Sequence, residues 1–175
     1  MLLGFKRRFA PFVLDGSKTH TIRGLRKDGL APKVGMTCHC YVDPRQRTMA
    51  LLGRWPFVRA EDIRIYTRAD GTFGVTVNRD ELSLEEKNLL AHRDGFRSDW
   101  PFFEMMRFWI DEHGHGQDLS RVICKWGSRP LFVEPRLAAG IRGIDFEGQI
   151  IHWRFDAAAR NARWREILKR IGGKR

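Results

Sequence analysis

Five segments with the composition of short β-strands follow one another within the first 78 residues, and this series restricts the fold more than any other feature. They are rich in β-branched and aromatic residues, which is typical of strands. The turn signal "RADG" before the last segment predicts a hairpin. The five segments cover residues 18–23, 34–42, 50–57, 61–66 and 72–78. In front of them, "RFAPFVLDG" predicts a short helix that ends at Gly16.

The second half of the chain has the patterns of helices. Ser83 with Glu86 three residues later is a capping box, which predicts a helix over 84–92. A second helix is expected over 100–114, with Gly114 at its end. Further predictions are strands at 119–127 and 148–155 and a basic, amphipathic helix over 156–172. Many short strands with helices inserted among them favour an α+β fold, a small mixed β-barrel decorated by helices.

Length and composition exclude several classes of protein. A chain of 175 residues suits one domain, and a hydrophobic fraction of 42% excludes the composition of disordered chains. No apolar run has the length of a membrane-spanning helix, and the N-terminus lacks the pattern of a secretory signal. We therefore expect a cytoplasmic protein with no membrane partner.

The three cysteines predict neither disulfides nor a metal site. They are an odd and sparse set, so a disulfide framework is not expected. Cys38 and Cys40 lack a second ligand pair at a recognisable interval. Alternation in "MTCHCYV" places both on one face of a strand, where we expect them to be buried. No cofactor is predicted.

The positive charge is concentrated at the two ends of the chain. The net charge is +11 overall, with +9 over residues 1–60, −6 over 61–118 and +8 over 119–175. Net charge alone does not specify a partner, since a charged surface also serves solubility. Two basic ends around an acidic middle favour a surface that binds a polyanion, with nucleic acid as the first candidate.

The stretch "GSKTHTIR" carries the residues with the clearest chemistry. Arg23 has the planar fork that contacts a phosphate or a base edge, or it forms an ion pair with a carboxylate such as Asp94. A partly desolvated Lys18 can activate a hydroxyl such as that of Thr21, with Asp94 as its neutralising partner, or it can be a solvated lysine. The loop that follows holds Arg26, Lys27 and Lys33, which suit a phosphodiester backbone.

Lys18 and Thr21 are three residues apart in one predicted strand. Residues at this spacing face opposite sides of a sheet. The two side chains can cooperate only if the chain bends or bulges near Gly16 and Ser17, which the glycine permits.

The order of these motifs resembles the ASCH domain family, small relatives of the PUA domain. The resemblance rests on "GSKTHTIR", on "KVGMTCHCYV" as the next strand and on "DGFRS" before a helix. The phage and prophage type is the most similar, because "LLGFKRRFAP", "RKDG" and "FEGQIIHW" occur together there. The resemblance covers about residues 2–155. It implies an ASCH domain over 1–155, with 119–144 as an insertion and 156–175 as a basic helical extension.

The resemblance also implies a function and a site. The family has a PUA-like β-barrel with a cleft that is proposed to bind RNA or modified nucleobases. It suggests a nucleic-acid-binding module for single-stranded RNA or a modified nucleoside, with DNA as a further partner, bound through Lys18, Arg23, Arg26, Lys27 and Lys33. The alternative is a hydrolase of the N4-acetylcytidine amidohydrolase type, or a ribonuclease.

The amidohydrolases of the family use a lysine, a threonine and a glutamate for catalysis. The resemblance implies that Lys18 and Thr21 correspond to the lysine and the threonine, and that the glutamate corresponds to a position at or near Asp94. The aspartate is shorter than that glutamate by one methylene. No oligomeric state follows from the sequence.

Overall fold

The computed structural model describes residues 1–26, 29–69, 72–113, 145–161 and 164–172. Within them the chain forms seven β-strands, four α-helices and two 3₁₀ turns, of which Arg7–Phe9 is the first and Ala157–Ala159 the second. The strands are β1 (Leu2–Phe5), β2 (His20–Gly24), β3 (Thr37–Val42), β4 (Ala50–Thr67), β5 (Phe73–Val77), β6 (Asp80–Glu81) and β7 (Asp145–Trp153). The helices are α1 (Ala10–Asp15), α2 (Leu84–Arg93), α3 (Pro101–His113) and α4 (Trp164–Gly172).

The strands form one mixed sheet, so the predicted α+β class is confirmed. The order is β1-β3-β4-β5-β6, and β7 pairs with both β4 and β2. β1 runs parallel to β3, while the pairs β3–β4, β4–β5 and β5–β6 are antiparallel.

The expected closed barrel is not formed by the described strands. The path ends at β1 on one side and at β6 on the other, and β2 pairs with β7 alone. β6 consists of Asp80 and Glu81, and charged residues on such a short strand disfavour further pairing at a sheet edge.

The strands predicted at 50–57 and 61–66 are one long strand, β4. Its first part pairs with β3 as far as Pro56, and its last part pairs with β5 from Ile63 onward. Between these two pairings, residues 58–62 are exposed or half-buried. The two predicted segments ended on either side of this stretch, but a single extended chain that changes partners has the same pattern.

Two further differences from the predictions lie near the chain ends. β1 was not predicted, because four residues are too few for a recognisable alternation; its Leu3 pairs with Cys40 of β3. The C-terminal helix begins at Trp164 rather than at Asp156. Asp156 instead caps the second 3₁₀ turn, accepting from the Ala158 amide at 2.9 Å.

The chain divides into two compact units. Unit 1 contains residues 1–60, 93–95 and 150–175, and unit 2 contains residues 61–92 and 96–149. In unit 1, α1 packs against α4 and buries Val13 and Leu14. Cys38 and Cys40 of β3 are fully buried, as their alternation predicted. Burial raises the pKa of the Cys38 thiol to about 11, so it is uncharged at neutral pH.

Unit 2 is organised around β5 and helices α2 and α3. The predicted capping box is confirmed: the Ser83 amide donates to the Glu86 carboxylate at 2.8 Å, and the Glu86 amide donates to the Ser83 hydroxyl at 3.3 Å. Lys87 is buried and donates to the Phe73 carbonyl at 3.1 Å. Its ammonium is 3.6 Å from the carboxylate of Glu81. Unit 2 therefore contains a buried lysine with an ordinary structural role.

Several predictions concern residues outside the described ranges. These are the strand at 119–127, the insertion at 119–144, the end of a helix at Gly114 and the role of Lys27. The division into a domain over 1–155 and a C-terminal extension stays a prediction. Within the described ranges, no helix has the length and apolar character needed to cross a bilayer.

Candidate functional site

The end of α1 turns Lys18 into the interior of unit 1. The helix stops at Gly16, which has a φ of 82°, a left-handed conformation that glycine adopts readily. A side chain there would also meet the ring of Phe155, with the added carbon 2.6 Å from it. The amide of Lys18 then donates to the carbonyl of Phe12 at 2.8 Å. The chain is thereby reversed, and Lys18 lies just before β2, inside the fold.

Lys18 and Asp94 form a buried ion pair. The side chain of Lys18 is 1% exposed, and that of Asp94 is also buried. The ammonium of Lys18 donates both to the carboxylate and to the main-chain carbonyl of Asp94. It also lies 5.1 Å from the centre of the Phe9 ring, within cation–π range. A charge that has lost its water is stable only with partners of this kind.

Gly95 holds Asp94 in this position. Its φ is 98°, again in the left-handed region. A side-chain carbon at Gly95 would lie 3.0 Å from the Phe9 ring and 3.5 Å from the Lys18 side chain. The glycine therefore allows the backbone that follows Asp94 to lie directly against the residues that surround the ammonium.

Burial and the neighbouring donors shift the pKa of the Asp94 carboxylate in opposite directions. Burial raises its pKa above the ordinary value of 3.8. The Lys18 ammonium, the Arg23 guanidinium and the Ile22 amide, which donates to the carboxylate, lower the pKa in turn, and burial outweighs them. As the pH falls, the carboxyl group therefore takes up its proton at a higher pH than an exposed aspartate does.

Arg23 is the second cation near Asp94. Its guanidinium donates to the carbonyl of Gly4 and lies 5.5 Å from the centre of the Phe5 ring. Burial lowers its pKa, and the charge of Asp94 raises it, but an arginine stays protonated in proteins. The Nε of Arg23 is buried and has no hydrogen-bond partner within the described part of the chain.

Trp153 presents a second buried donor of the same kind. Its indole Nε1 has no hydrogen-bond partner within the described ranges. The Trp153 ring packs edge-on against Phe5, with centroids 5.8 Å apart. Arg23 and Trp153 thus flank the same phenylalanine.

His20 belongs to the site, although the sequence analysis did not select it. Its Nε2 lies 3.8 Å from the Asp94 carboxylate, and its ring is 5.3 Å from that of His152. The signal was present in the sequence, because His20 is two residues after Lys18 and shares its side of an extended chain. We call Lys18, His20, Arg23 and Asp94 the Lys18 cluster.

Thr21 is buried in β2, at 5% exposure. Adjacent residues of a strand point to opposite faces, so Thr21 faces away from the side on which His20 meets Asp94. The structure therefore pairs Lys18 with Asp94 and places His20 beside the same carboxylate, whereas Thr21 shares its face of β2 with Arg23, which acts on Asp94 through its charge. His20, which the resemblance did not suggest, is the residue of β2 that lies beside the Asp94 carboxylate.

The basic loop after β2 lies at the surface. Arg26 and Lys33 are exposed, and Lys27 is outside the described residues.

The two units differ in net charge. Unit 1 holds 21 Lys and Arg against 6 Asp and Glu, a net +15, while unit 2 holds 11 against 15, a net −4. The Lys18 cluster therefore lies in the strongly basic unit, where a polyanion would be attracted.

No family model, curated protein or solved structure matches this chain. The resemblance to ASCH domains therefore rests on the motifs in the sequence.

Proposed function

We propose that unit 1 binds single-stranded RNA and recognises a base, or a modified base, at the Lys18 cluster. One observation carries the proposal: the Lys18 ammonium pairs with the buried carboxylate of Asp94, and the Arg23 guanidinium is a second cation whose charge acts on the same carboxylate. Burying more positive than negative charge is unfavourable in a folded protein. An acceptor-rich or anionic ligand beside these cations would offset that cost.

The unpartnered donors support a base as the ligand. Arg23 Nε and Trp153 Nε1 are buried donors without an acceptor among the described residues. The edges of nucleobases carry carbonyl oxygens and ring nitrogens that accept hydrogen bonds. Bases of a single strand can leave the stack and present these edges to a protein, whereas those of a duplex are less accessible. The arginine fork suits such an edge.

The charge of unit 1 supports a polymer rather than a free base alone. A unit with a net charge of +15 attracts phosphodiester chains at long range. The exposed Arg26 and Lys33 lie in the loop that directly follows β2. The ASCH resemblance points to the same class of partner, and DNA shares the phosphates of RNA.

Hydrolysis of a nucleoside amide is the alternative function. It requires the Thr21 hydroxyl on the same side as Lys18, so that the lysine can activate it. Alternation in β2 places Thr21 on the face opposite His20. Because His20 rather than Thr21 lies beside the Asp94 carboxylate, we favour binding, and an enzymatic reaction is an outcome of the test below.

The test is a titration of labelled single-stranded RNA with the wild-type chain and with Lys18→Met, at low and physiological salt. Loss of one charge-assisted contact is worth about 1.5–3 kcal/mol. We therefore expect the affinity of Lys18→Met to fall by about tenfold or more. Binding by Lys18→Met equal to that of the wild type would overturn the proposal.

Two controls make this test specific. Lys87→Met removes the other lysine that is buried within the described ranges, and we expect wild-type affinity from it. Lys18→Met/Asp94→Asn removes both charges of the pair, so it separates loss of the contact from loss of the fold. The RNA is examined after each titration: RNA altered by the wild type and not by Lys18→Met would assign the alternative, enzymatic function.

A further inference from the structure

Three segments of unit 1 meet at Thr48: the first 3₁₀ turn, the loop after β3 and helix α4. Arg7 of the first 3₁₀ turn donates to the Thr48 hydroxyl at 3.2 Å, and Arg170 of α4 donates to the Thr48 carbonyl at 3.0 Å. The Thr48 hydroxyl and the Arg7 guanidinium each donate at 2.7 Å to the buried carboxylate of Asp43. The loop after β3 is thereby fixed against both elements.

Exposed cations lie close in the chain to the residues that meet at Thr48. The Thr48 surface, as we call it, consists of Arg8, Arg45, Arg47, Lys169 and Arg170, all of them exposed. Arg8, Arg47 and Lys169 are direct chain neighbours of Arg7, Thr48 and Arg170, so their Cα atoms lie about 3.8 Å from residues that converge. The carboxylate of Asp43 is buried against Arg7. Glu166 is the exposed acidic residue of α4, the helix that carries Lys169 and Arg170.

The backbone of this loop is held in an unfavourable conformation. Asp43 has a φ of 49° and Arg45 a φ of 65°. Aspartate tolerates the left-handed region, whereas arginine gains nothing there and glycine would be more stable. Strain of this kind is found at functional positions. Arg79 in unit 2 has a φ of 78°, so strain alone does not mark a site. The difference is the group of cations around Arg45.

We propose that the Thr48 surface binds the phosphodiester backbone of a single-stranded nucleic acid. The inference rests on the proposed function, since it assigns a second contact surface for the same polymer. Five exposed cations from three anchored segments match the spaced charges of a phosphate chain. A lipid surface fits less well, because binding to a membrane needs an apolar face, and Met49 is the exposed large apolar residue of this loop.

The experiment measures how affinity depends on salt. Wild type, Arg45→Gly and the triple variant Arg45→Gly/Arg47→Gln/Lys169→Gln are titrated with oligo-uridylate and oligo-thymidylate between about 50 and 200 mM salt. Each lost contact lowers the slope of log affinity against log salt by about 0.7 for single strands, so the triple variant should lose about 2. A slope equal to that of the wild type would overturn the proposal.

Arg79→Gly is the matched control. It makes the same substitution, at an exposed arginine in the same backbone conformation, in unit 2. We expect both glycine variants to melt at or above the temperature of the wild type, because the strain is relieved. Arg45→Gly should bind more weakly than Arg79→Gly, which should bind as the wild type does. Equal affinity of the two variants would contradict the assignment.

The remaining outcomes distinguish this proposal from the proposed function. Equal slope losses for RNA and DNA support phosphate contacts, while a loss confined to RNA would overturn them. Tighter binding to anionic lipid vesicles than to either polymer at the same salt would also overturn them. If Lys18→Met loses affinity while the triple variant keeps the wild-type slope, the base site stands and the Thr48 surface does not. If the triple variant loses slope while Lys18→Met keeps the wild-type affinity, the Thr48 surface stands and the base site does not.

Discussion

At the scale of the residue, the site is defined by what surrounds one lysine. Lys18 and Arg23 were predicted from their chemistry in "GSKTHTIR", and Asp94 was predicted as their carboxylate partner. The sequence left open whether the lysine is solvated, and the structure buries it beside Asp94. The position of His20 beside the same carboxylate was not predicted, although its spacing of two residues from Lys18 is the signal that indicates it.

The buried pair makes Lys18 important for stability. In Lys18→Met, the buried carboxylate of Asp94 loses the cation that it pairs with, and breaking a buried pair in this way costs about 3 kcal/mol. Urea unfolding should therefore show a lower free energy of unfolding for Lys18→Met, with part of it restored in Lys18→Met/Asp94→Asn. A double variant less stable than the single one would contradict this account.

The raised pKa of Asp94 predicts a dependence of stability on pH. Between the ordinary pKa of 3.8 and the higher pKa of the folded state, Asp94 is more protonated in the folded chain than in the unfolded chain, and above this range it is the charged partner of Lys18. Stability contributed by this group is therefore lost as pH rises from about 4 through the folded-state pKa. The free energy of unfolding of the wild type minus that of Asp94→Asn should fall over this range. A difference that rises with pH would mean that folding stabilises the charged form of the Asp94 carboxyl group, and would contradict a raised pKa.

At the scale of the element, the ends of helices place the reactive groups. α1 ends at Gly16 and delivers Lys18, and Asp94 with Gly95 follows the last residue of α2. The sequence predicted α1, the capping box of α2 and most strands, since these depend on local spacing. It divided β4 in two and missed β1, because the pairing of strands with distant partners decides where an extended chain stops.

Gly95→Ala tests how closely the backbone after Asp94 packs against Phe9. Alanine with a positive φ costs about 1–2 kcal/mol, and crowding against Phe9 adds about 1–3 kcal/mol. Gly35→Ala is the control, because Gly35 has a φ of 86° and open space around it. We expect Gly95→Ala to lose more unfolding free energy in urea than Gly35→Ala. Equal losses would show that the contact with Phe9 contributes nothing.

At the scale of the whole molecule, charge follows the division into units. The basic ends of the sequence come together in unit 1, while the acidic middle lies mainly in unit 2. The sequence predicted this segregation along the chain, and the α+β class with it. It also predicted a closed barrel, whereas the pairings of the described strands leave ends at β1 and β6. Closure depends on long-range pairing and could not be read from strand composition.

The most direct measurement of the central claim is an NMR titration of the ¹⁵N-labelled full chain with short single-stranded RNA and with free nucleosides. The amide of Ile22 donates to the Asp94 carboxylate and Gly95 follows it, so both report on the Lys18 cluster. We predict saturable shifts at these two amides and none at Phe73 and Lys87 of unit 2. Shifts that avoid Ile22 and Gly95, or no shifts at all, would contradict a base site at Lys18.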